Sequence, residues 1–293
     1  MKHGDLGDAD CSIAQALSVV GDWWTLLVVR DIAGGLTRFD QLQMELGVSR
    51  KTLAERLARL VESGVVARRP YSTHPPRFDY TLTAVGTGLL PVLISLQDWG
   101  SRFVLGDGTL TATSTPTSVE ARRVHALVGK QLRALSLLDQ DGSTVDPVGD
   151  SDWTVLYCFP GAFAPGGQNY PPGWSDIPGA AGCTLESTTY RDRHRDFAAV
   201  GAHVHGVSTQ RPDELDAFAR HAQLPFTLLS DEASLFAAAL RLPTFRAAGV
   251  DRLKRATLIV DRRRMVRAVQ FPVTDPAGSV NEALTTIASL SRG

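Results

Sequence analysis

Across the first hundred residues, apolar side chains recur every three or four positions: Ile13, Leu17 and Val20, then Leu26, Leu27, Val29 and Ile32. That spacing places them on one face of a helix. A second amphipathic run, FDQLQMEL over 39–46, is followed by the short turn GVS. A further helical pattern then reaches about Glu62, with Leu53, Leu57, Leu60 and Val61 on its apolar side. Ser49 stands where its hydroxyl can satisfy a free backbone N–H at the start of that helix. The period then changes: two β-prone runs, 65–71 and 77–82, flank a tip rich in Ser, Thr, His and Pro, which predicts a hairpin. The stretch LGDGTLTATSTPTS, 105–118, has few large apolar residues and reads as a linker. Beyond it, short β-like runs (TVLYCF, HVHGVS, FTLLS, ATLIVD, VRAVQF) are interspersed with helical patterns such as PDELDAFARHA and SLFAAAL. That order predicts a layered α/β domain. The expected division is 1–104, a linker over 105–122, and 123–293.

A length of 293 residues agrees with two domains, and 43% hydrophobic with 21% charged residues suits a soluble globular protein. No run of about 20 apolar residues exists, and the N-terminus lacks the apolar stretch of a signal peptide, so no membrane association and a cytoplasmic location are expected. Three cysteines, Cys11, Cys158 and Cys183, are too few for a disulfide scaffold. None is spaced with histidines as a zinc site would be, and neither metal nor cofactor is expected.

The formal net charge of −1 hides a basic stretch: from 47 to 77 seven Arg and Lys stand against two Glu. A local positive patch on a neutral chain argues for a positioned anionic partner. Two helices joined by a three-residue turn, the second with a basic outer face, form the helix-turn-helix pattern of DNA readers, and the hairpin supplies a wing. Ser49, Arg50, Lys51, Thr52 and Arg56 are the expected groove-facing residues. Arg68, Arg69, His74 and Arg77 are expected near phosphates. The plain alternative is a solvated charged face of some other helical domain.

Within residues 10–103 the segments CSIAQALSVVGDWWTLLVVRDIAGGLTRFDQL, VSRKTLAERLARLVESGVVAR, PPRFDYTLTAVG and LQDWG resemble the HxlR-type winged-helix regulators. The resemblance implies an α+β winged helix-turn-helix domain that forms a homodimer on an inverted repeat of double-stranded DNA. The first and last helices of the domain, with Trp99, would form the dimer interface. Trp23 and Trp24 are then core or interface. Cys11 sits just before the first helix, where members of that family often carry a cysteine. It is either a redox thiol or a small packing residue.

Cys183 follows a run of small residues and precedes a helical pattern that extends to about Val200. Free N–H groups at a helix start favour a thiolate, the form that attacks peroxides. The segments VGKQLRALSLLDQDGSTVD, WTVLYCFP, IPGAAGCTLESTTYRD, GVSTQ and RATLIVD, in that order, resemble the Q-type peroxiredoxins. The resemblance implies a thioredoxin-like α/β fold with Cys183 as peroxidatic cysteine and Arg255 as the arginine that holds the thiolate and polarises the peroxide. It also makes Glu186 the acidic residue one turn along, and Arg191 and Asp192 residues that orient the site. A guanidinium beside sulfur favours its charged form and can donate to the leaving oxygen. Arg255 as a surface charge and Glu186 as a plain helix-terminal acid are the alternatives.

Three features depart from that family's pattern. Ala180 stands where a threonine is usual, three residues before the cysteine. The segment 161–176 is inserted ahead of it, and its Tyr170, Trp174 and Ser175 are candidates to replace the missing hydroxyl. Thr188 occupies the place of the resolving cysteine. A sulfenic acid at Cys183 would persist, overoxidise, or react with a small thiol, Cys158 or Cys11. Cys158 lies within an apolar strand and is expected to be a buried core thiol. His203 and His205 alternate on a strand and are expected to be structural, and Pro243 to shape a turn near the pocket. The expected function is a redox-responsive transcription regulator sensing peroxide or a related oxidant through Cys183. The alternatives are a thiol peroxidase, reduced by thioredoxin or a low-molecular-weight thiol, or a regulator whose second domain is catalytically silent and binds a ligand.

Overall fold

The computed structural model describes residues 10–166 and 170–292. Part of the insertion at 161–176 and the first nine residues lie outside these. By its internal contacts the chain divides into two compact units between Leu93 and Ile94.

The first unit begins with α1 (Ser12–Val20), α2 (Trp23–Ala33), α3 (Phe39–Leu46) and α4 (Arg50–Glu62). The hairpin of β1 (Val66–Thr73) and β2 (Pro76–Leu82) follows, then the short α5 (Ala84–Thr87) and the start of α6 (Leu90–Trp99). α3 stops at Gly47, whose φ of +64° a residue without Cβ adopts at least cost. Ser49 caps α4 by accepting from the Thr52 N–H at 3.1 Å. Leu53, Leu57 and Leu60 pack with Val28, Val29, Ile32 and Leu42 in one buried cluster. Val61 lies half-buried at its edge. β1 and β2 pair antiparallel from Val66↔Leu82 to Thr73↔Pro76, with a register shift between Pro70 and Ser72. The hairpin is thus longer, and its tip shorter, than the β-prone runs suggest.

The second unit takes in the rest of α6, a π-helical turn (Gly100–Val104) and α7 (Val119–His125). β3 (Leu137–Asp139), β4 (Thr144–Val145) and β5 (Trp153–Cys158) come next, then α8 (Cys183–Asp192), α9 (His194–Ala199), β6 (Ala202–Ser208), α10 (Pro212–Ala222), β7 (Leu228–Ser230) and α11 (Leu235–Leu240). The small hairpin β8 (Thr244–Ala247) and β9 (Val250–Leu253), then β10 (Ala256–Asp261), β11 (Val266–Gln270) and α12 (Pro276–Leu290), complete it. The main sheet has the order β11-β10-β5-β6-β7-β3-β4, with β5, β6 and β7 parallel and β10 antiparallel to β5. This is a thioredoxin-like sheet; β5 and β10 are buried along nearly their whole length, while β6 exposes His203 at its start. Tyr157, Phe159, Tyr190, Phe197 and Phe218, all fully buried, form the core between the sheet and the helices.

Three expectations are corrected here. The stretch 105–122 is not a free linker. Ala112 is buried with Trp174, Ala180, Phe245 and Ala247, and its N–H donates to Pro178 O at 2.8 Å. Ser118 caps α7, and the buried Glu120 pairs with Lys254 at 2.8 Å. The second unit also starts earlier than 123: Ser95 donates to Asp251 at 2.7 Å and Gln97 to Leu242 O at 2.8 Å. The helix that opens with Cys183 does not run on to Val200. It ends at Asp192 and α9 starts afresh at His194, because Arg193 at φ −97°, ψ 5° breaks the helical backbone.

Candidate functional site

The outer face of α4 presents Ser49, Arg50 and Lys51 to solvent, with Thr52 half-buried beside them. Arg50 is held by Asp40 at 3.1 Å and Gln43 at 3.2 Å, and its guanidinium lies 4.9 Å from the centre of the Phe39 ring. Arg68, Arg69, His74 and Arg77 are exposed on the hairpin, with Arg68 over the Phe78 ring. Arg56 is not on this face. Both arms of its guanidinium donate to Asp22, at 2.9 and 3.0 Å. Asp22 in turn accepts from the N–H groups of Trp24 and Thr25 and so caps α2. Burial works against the Asp22 carboxylate, but Arg56 and these N–H groups together hold it below the usual carboxylate range. Arg56 is a structural tie, because an acid from another helix claims it first. Trp24 packs against the core while Trp23 is exposed, as are Ile13 and Leu17 of α1.

In the second unit Cys183 is the first residue of α8, after Gly182 in a left-handed conformation at φ +102°. A Cβ on Gly182 would come within 2.8 Å of Pro276 Cγ, so the turn is clamped under the start of α12. The thiol is 2% exposed and lies 3.5 Å from Ala180 O. Arg255, ahead of β10, donates from Nη2 to Cys183 Sγ at 3.4 Å and to Ala181 O at 3.0 Å, and from Nη1 to Glu186 Oε2. The sulfur and the guanidinium, 72 positions apart, meet because β10, which follows Arg255, pairs with β5, and Cys183 is buried in one cluster with Tyr157 of β5 and the adjoining Phe159.

Burial pushes the Glu186 carboxyl up to about 7, and Arg255 only partly reverses that. Burial also opposes the charge on Arg255, but Glu186 and then Cys183 more than offset it and hold the guanidinium above its ordinary value. Cys158 is wholly buried in β5, paired with Ala256 and Val207 in the middle of the sheet, and burial raises its thiol far above the ordinary range. It is an inert core thiol. Cys11, half-buried, precedes α1 and makes no capping bond with its side chain. All three thiols are free.

The other sequence-derived candidates are placed as follows. Arg191 donates to Ala222 O at 2.8 Å and to Asp192, so the pair anchors the far end of α8 to α10 and stays away from the sulfur. Ser175 is exposed and bonded to Asp176, and Tyr170 is exposed. Trp174 is buried against Ala180, and its indole N–H has no partner among the described residues. His205 is held down to about 4 by burial and then by His203. Pro243 O accepts from Lys254 N–H at 2.9 Å, and Phe245 beyond it packs in the cluster of Trp174 and Ala180. Sequence reasoning missed Arg252. It is buried, donates to Pro160 O at 3.2 Å, and lies 5.0 Å from the Trp174 ring centre and 5.8 Å from that of Phe163. The only signal in the chain was its place three residues before Arg255.

The two units define a class: a winged helix-turn-helix module in one chain with a peroxiredoxin-type module. The chain belongs to the HxlR-like helix-turn-helix family, matched over residues 19–106, and its second unit carries the AhpC/TSA family, matched over 177–269. An uncharacterised HTH-type transcriptional regulator of Mycobacterium tuberculosis is 43% identical over 93 residues, which is 32% of this chain and 59% of that protein. The chain therefore spans less than two thirds of that relative's length. Chloroplastic peroxiredoxin Q of Populus jackii is 28% identical over 190 residues, covering 61% of this chain and 78% of that one. The crystal structure of peroxidoxin BcpB from Mycobacterium tuberculosis, at 26% identity and a TM-score of 0.47, covers 56% of this chain and 97% of its own. Among the described residues no single helix is long and apolar enough to cross a membrane.

Proposed function

We propose that the protein is a DNA-binding transcription regulator that responds to peroxide or a related oxidant through Cys183. The bond from Arg255 to Sγ, in a chain that also carries a helix-turn-helix, is the observation on which this reading rests. The thiolate attacks the peroxide; an S–O bond forms, the O–O bond breaks, and the leaving oxygen departs with the electron pair and takes up a proton, leaving a sulfenic acid. Arg255 holds the thiolate and the transferring oxygen. The added oxygen needs room that a 2% exposed sulfur lacks, so the first turn of α8 must shift from Ala180 and Pro276. That shift is the local event that alters DNA binding.

On the DNA side, Ser49, Arg50, Lys51 and Thr52 read the major groove, while Arg68, Arg69, His74 and Arg77 meet phosphates. The protein acts as a cytoplasmic homodimer on an inverted repeat; the exposed apolar residues Ile13, Leu17 and Trp23, and Val92, Leu96 and Trp99, support the dimer interface. The test is operator affinity before and after stoichiometric peroxide in wild type and Cys183→Ser. Affinity changes in the wild type alone; an equal change in both proteins overturns the reading.

The intact Arg255–Glu186 arrangement also favours a second reading, a thiol peroxidase. With Thr188 in place of a resolving cysteine and Cys158 locked in the sheet, turnover then requires thioredoxin or a low-molecular-weight thiol. Continuous peroxide consumption with such a reductant separates the two.

A further inference from the structure

The region before Cys183 holds a second guanidinium that, among the described residues, no acid neutralises by contact. Arg252 is 6% exposed, and among the described residues no carboxylate forms an ion pair with it. Among the described residues its buried Nε has no hydrogen-bond partner, nor has Nε1 of Trp174. The guanidinium is held instead between aromatic faces, Trp174 and Phe163, and by the carbonyl of Pro160. Space for it depends on Gly161, where a Cβ would lie 2.9 Å from Arg252 Nη1. Gln210 fixes that loop by bonding both N–H and C=O of Ala162, at 2.8 and 2.9 Å. Burial disfavours the charge on Arg252, and the fields of Glu214 and Cys183 offset this only in part. Glu214 itself is engaged with the Arg211 N–H.

A buried cation with an unused donor is costly unless something binds it. The elements around it bear on Cys183. Trp174 packs on Ala180, whose carbonyl lies 3.5 Å from Sγ, and Ala180 is the residue that replaces the usual threonine hydroxyl. Phe163, Tyr170 and Trp174 form a run of rings with centroids 4.9 and 5.8 Å apart, and Tyr170 is exposed. An apolar platform ending at an unpaired guanidinium suits a ligand with an organic body and an anionic group.

We propose that Arg252 is a specificity-determining residue of the Cys183 site and selects organic hydroperoxides that carry a carboxylate. The organic body lies on the Phe163, Tyr170 and Trp174 rings, and the carboxylate accepts from Arg252. Cys183 then attacks the terminal peroxide oxygen. The S–O bond forms and the O–O bond breaks. The alkoxide keeps the electron pair and takes a proton from water, and the carboxylate is unchanged. This rests on the reading of Cys183 as the peroxide-reactive thiol.

The test uses the full chain and two oxidants with one reactive group: cumene hydroperoxide and its para-carboxylate. Rates of Cys183 oxidation are followed by stopped flow and mass spectrometry. The carboxylate reacts about tenfold faster or more in the wild type. The ratio falls towards one in Arg252→Gln and largely returns in Arg252→Lys. As a second measurement on the unaltered protein, benzoate slows the cumene hydroperoxide reaction competitively and benzyl alcohol does not. This decides the matter if R252Q does not fold. A wild-type ratio of one, or equal effects of benzoate and benzyl alcohol, overturns the role of Arg252 and leaves the peroxide reading standing. No oxidation of Cys183 by either hydroperoxide or by hydrogen peroxide removes both.

Discussion

Arg255 serves two acceptors, the sulfur of Cys183 and the carboxylate of Glu186, so the charge it offers the sulfur depends on the state of Glu186. A second buried acid, Asp231, has no such cation among the described residues. It accepts from Phe236 and Ala237 N–H at 2.7 and 2.8 Å, and burial outweighs those bonds and pushes its carboxyl up to about 7. Both acids bind a proton more tightly folded than unfolded. Their contribution to stability is therefore complete below about pH 4 and is lost as pH rises through about 7. For Asp231, which rises from 3.8 to about 7, the change is on the order of 4 kcal/mol. Denaturant unfolding from pH 4 to 8 shows a falling midpoint in the wild type, with a clearly shallower fall in Asp231→Asn. An unchanged pH slope in that variant contradicts the assignment. At this scale Cys183 was legible as a thiol at a helix start, and Glu186 as one turn on. Arg255 was legible only through resemblance, since nothing local in RATLIVD says where its guanidinium points.

At the scale of elements, α4 carries two kinds of arginine and lysine that its sequence does not distinguish. Lys51 is exposed, whereas Arg56 is spent on Asp22, which also caps α2. Arg56→Ala leaves a half-buried carboxylate without its cation and lowers the stability of the first unit by about 2–3 kcal/mol in thermal unfolding. Lys51→Ala leaves stability within about 0.5 kcal/mol but weakens DNA binding, and the slope of log affinity against log salt drops by about one. A reversed pattern, with Arg56 affecting only DNA and Lys51 only stability, contradicts both placements. The amphipathic period revealed that α4 exists and which side faces the core. It did not reveal which outer residues another helix takes up. Similarly, the helical pattern after Cys183 gave no warning that Arg193 divides it into α8 and α9.

For the whole molecule, the Ser/Thr/Gly-rich stretch before α7 changes the picture most. Its composition reads as linker, yet Ala112 packs on Trp174, Ala180 and Phe245, within the cluster that flanks Cys183. Ala112→Asp places an unpaired acid there and destabilises the second unit by about 2–4 kcal/mol, seen as a lowered unfolding midpoint of that unit. An unaltered midpoint shows that the stretch does not contribute to the fold.

By itself, the order of apolar and polar positions determined the helix-turn-helix, its hairpin, the layered α/β character of the second unit and the cysteine at a helix start. Each is set by contacts within a few residues and by the period that hides apolar surface. The tertiary structure alone decided that Arg255 meets Cys183 and Glu186, that Arg56 is taken by Asp22, that 105–122 is packed, and that Arg252 lies unpaired among aromatic rings. Those outcomes depend on which distant side chains the folded backbone brings together. A charge or a hydroxyl carries no mark along the chain of the partner it will find.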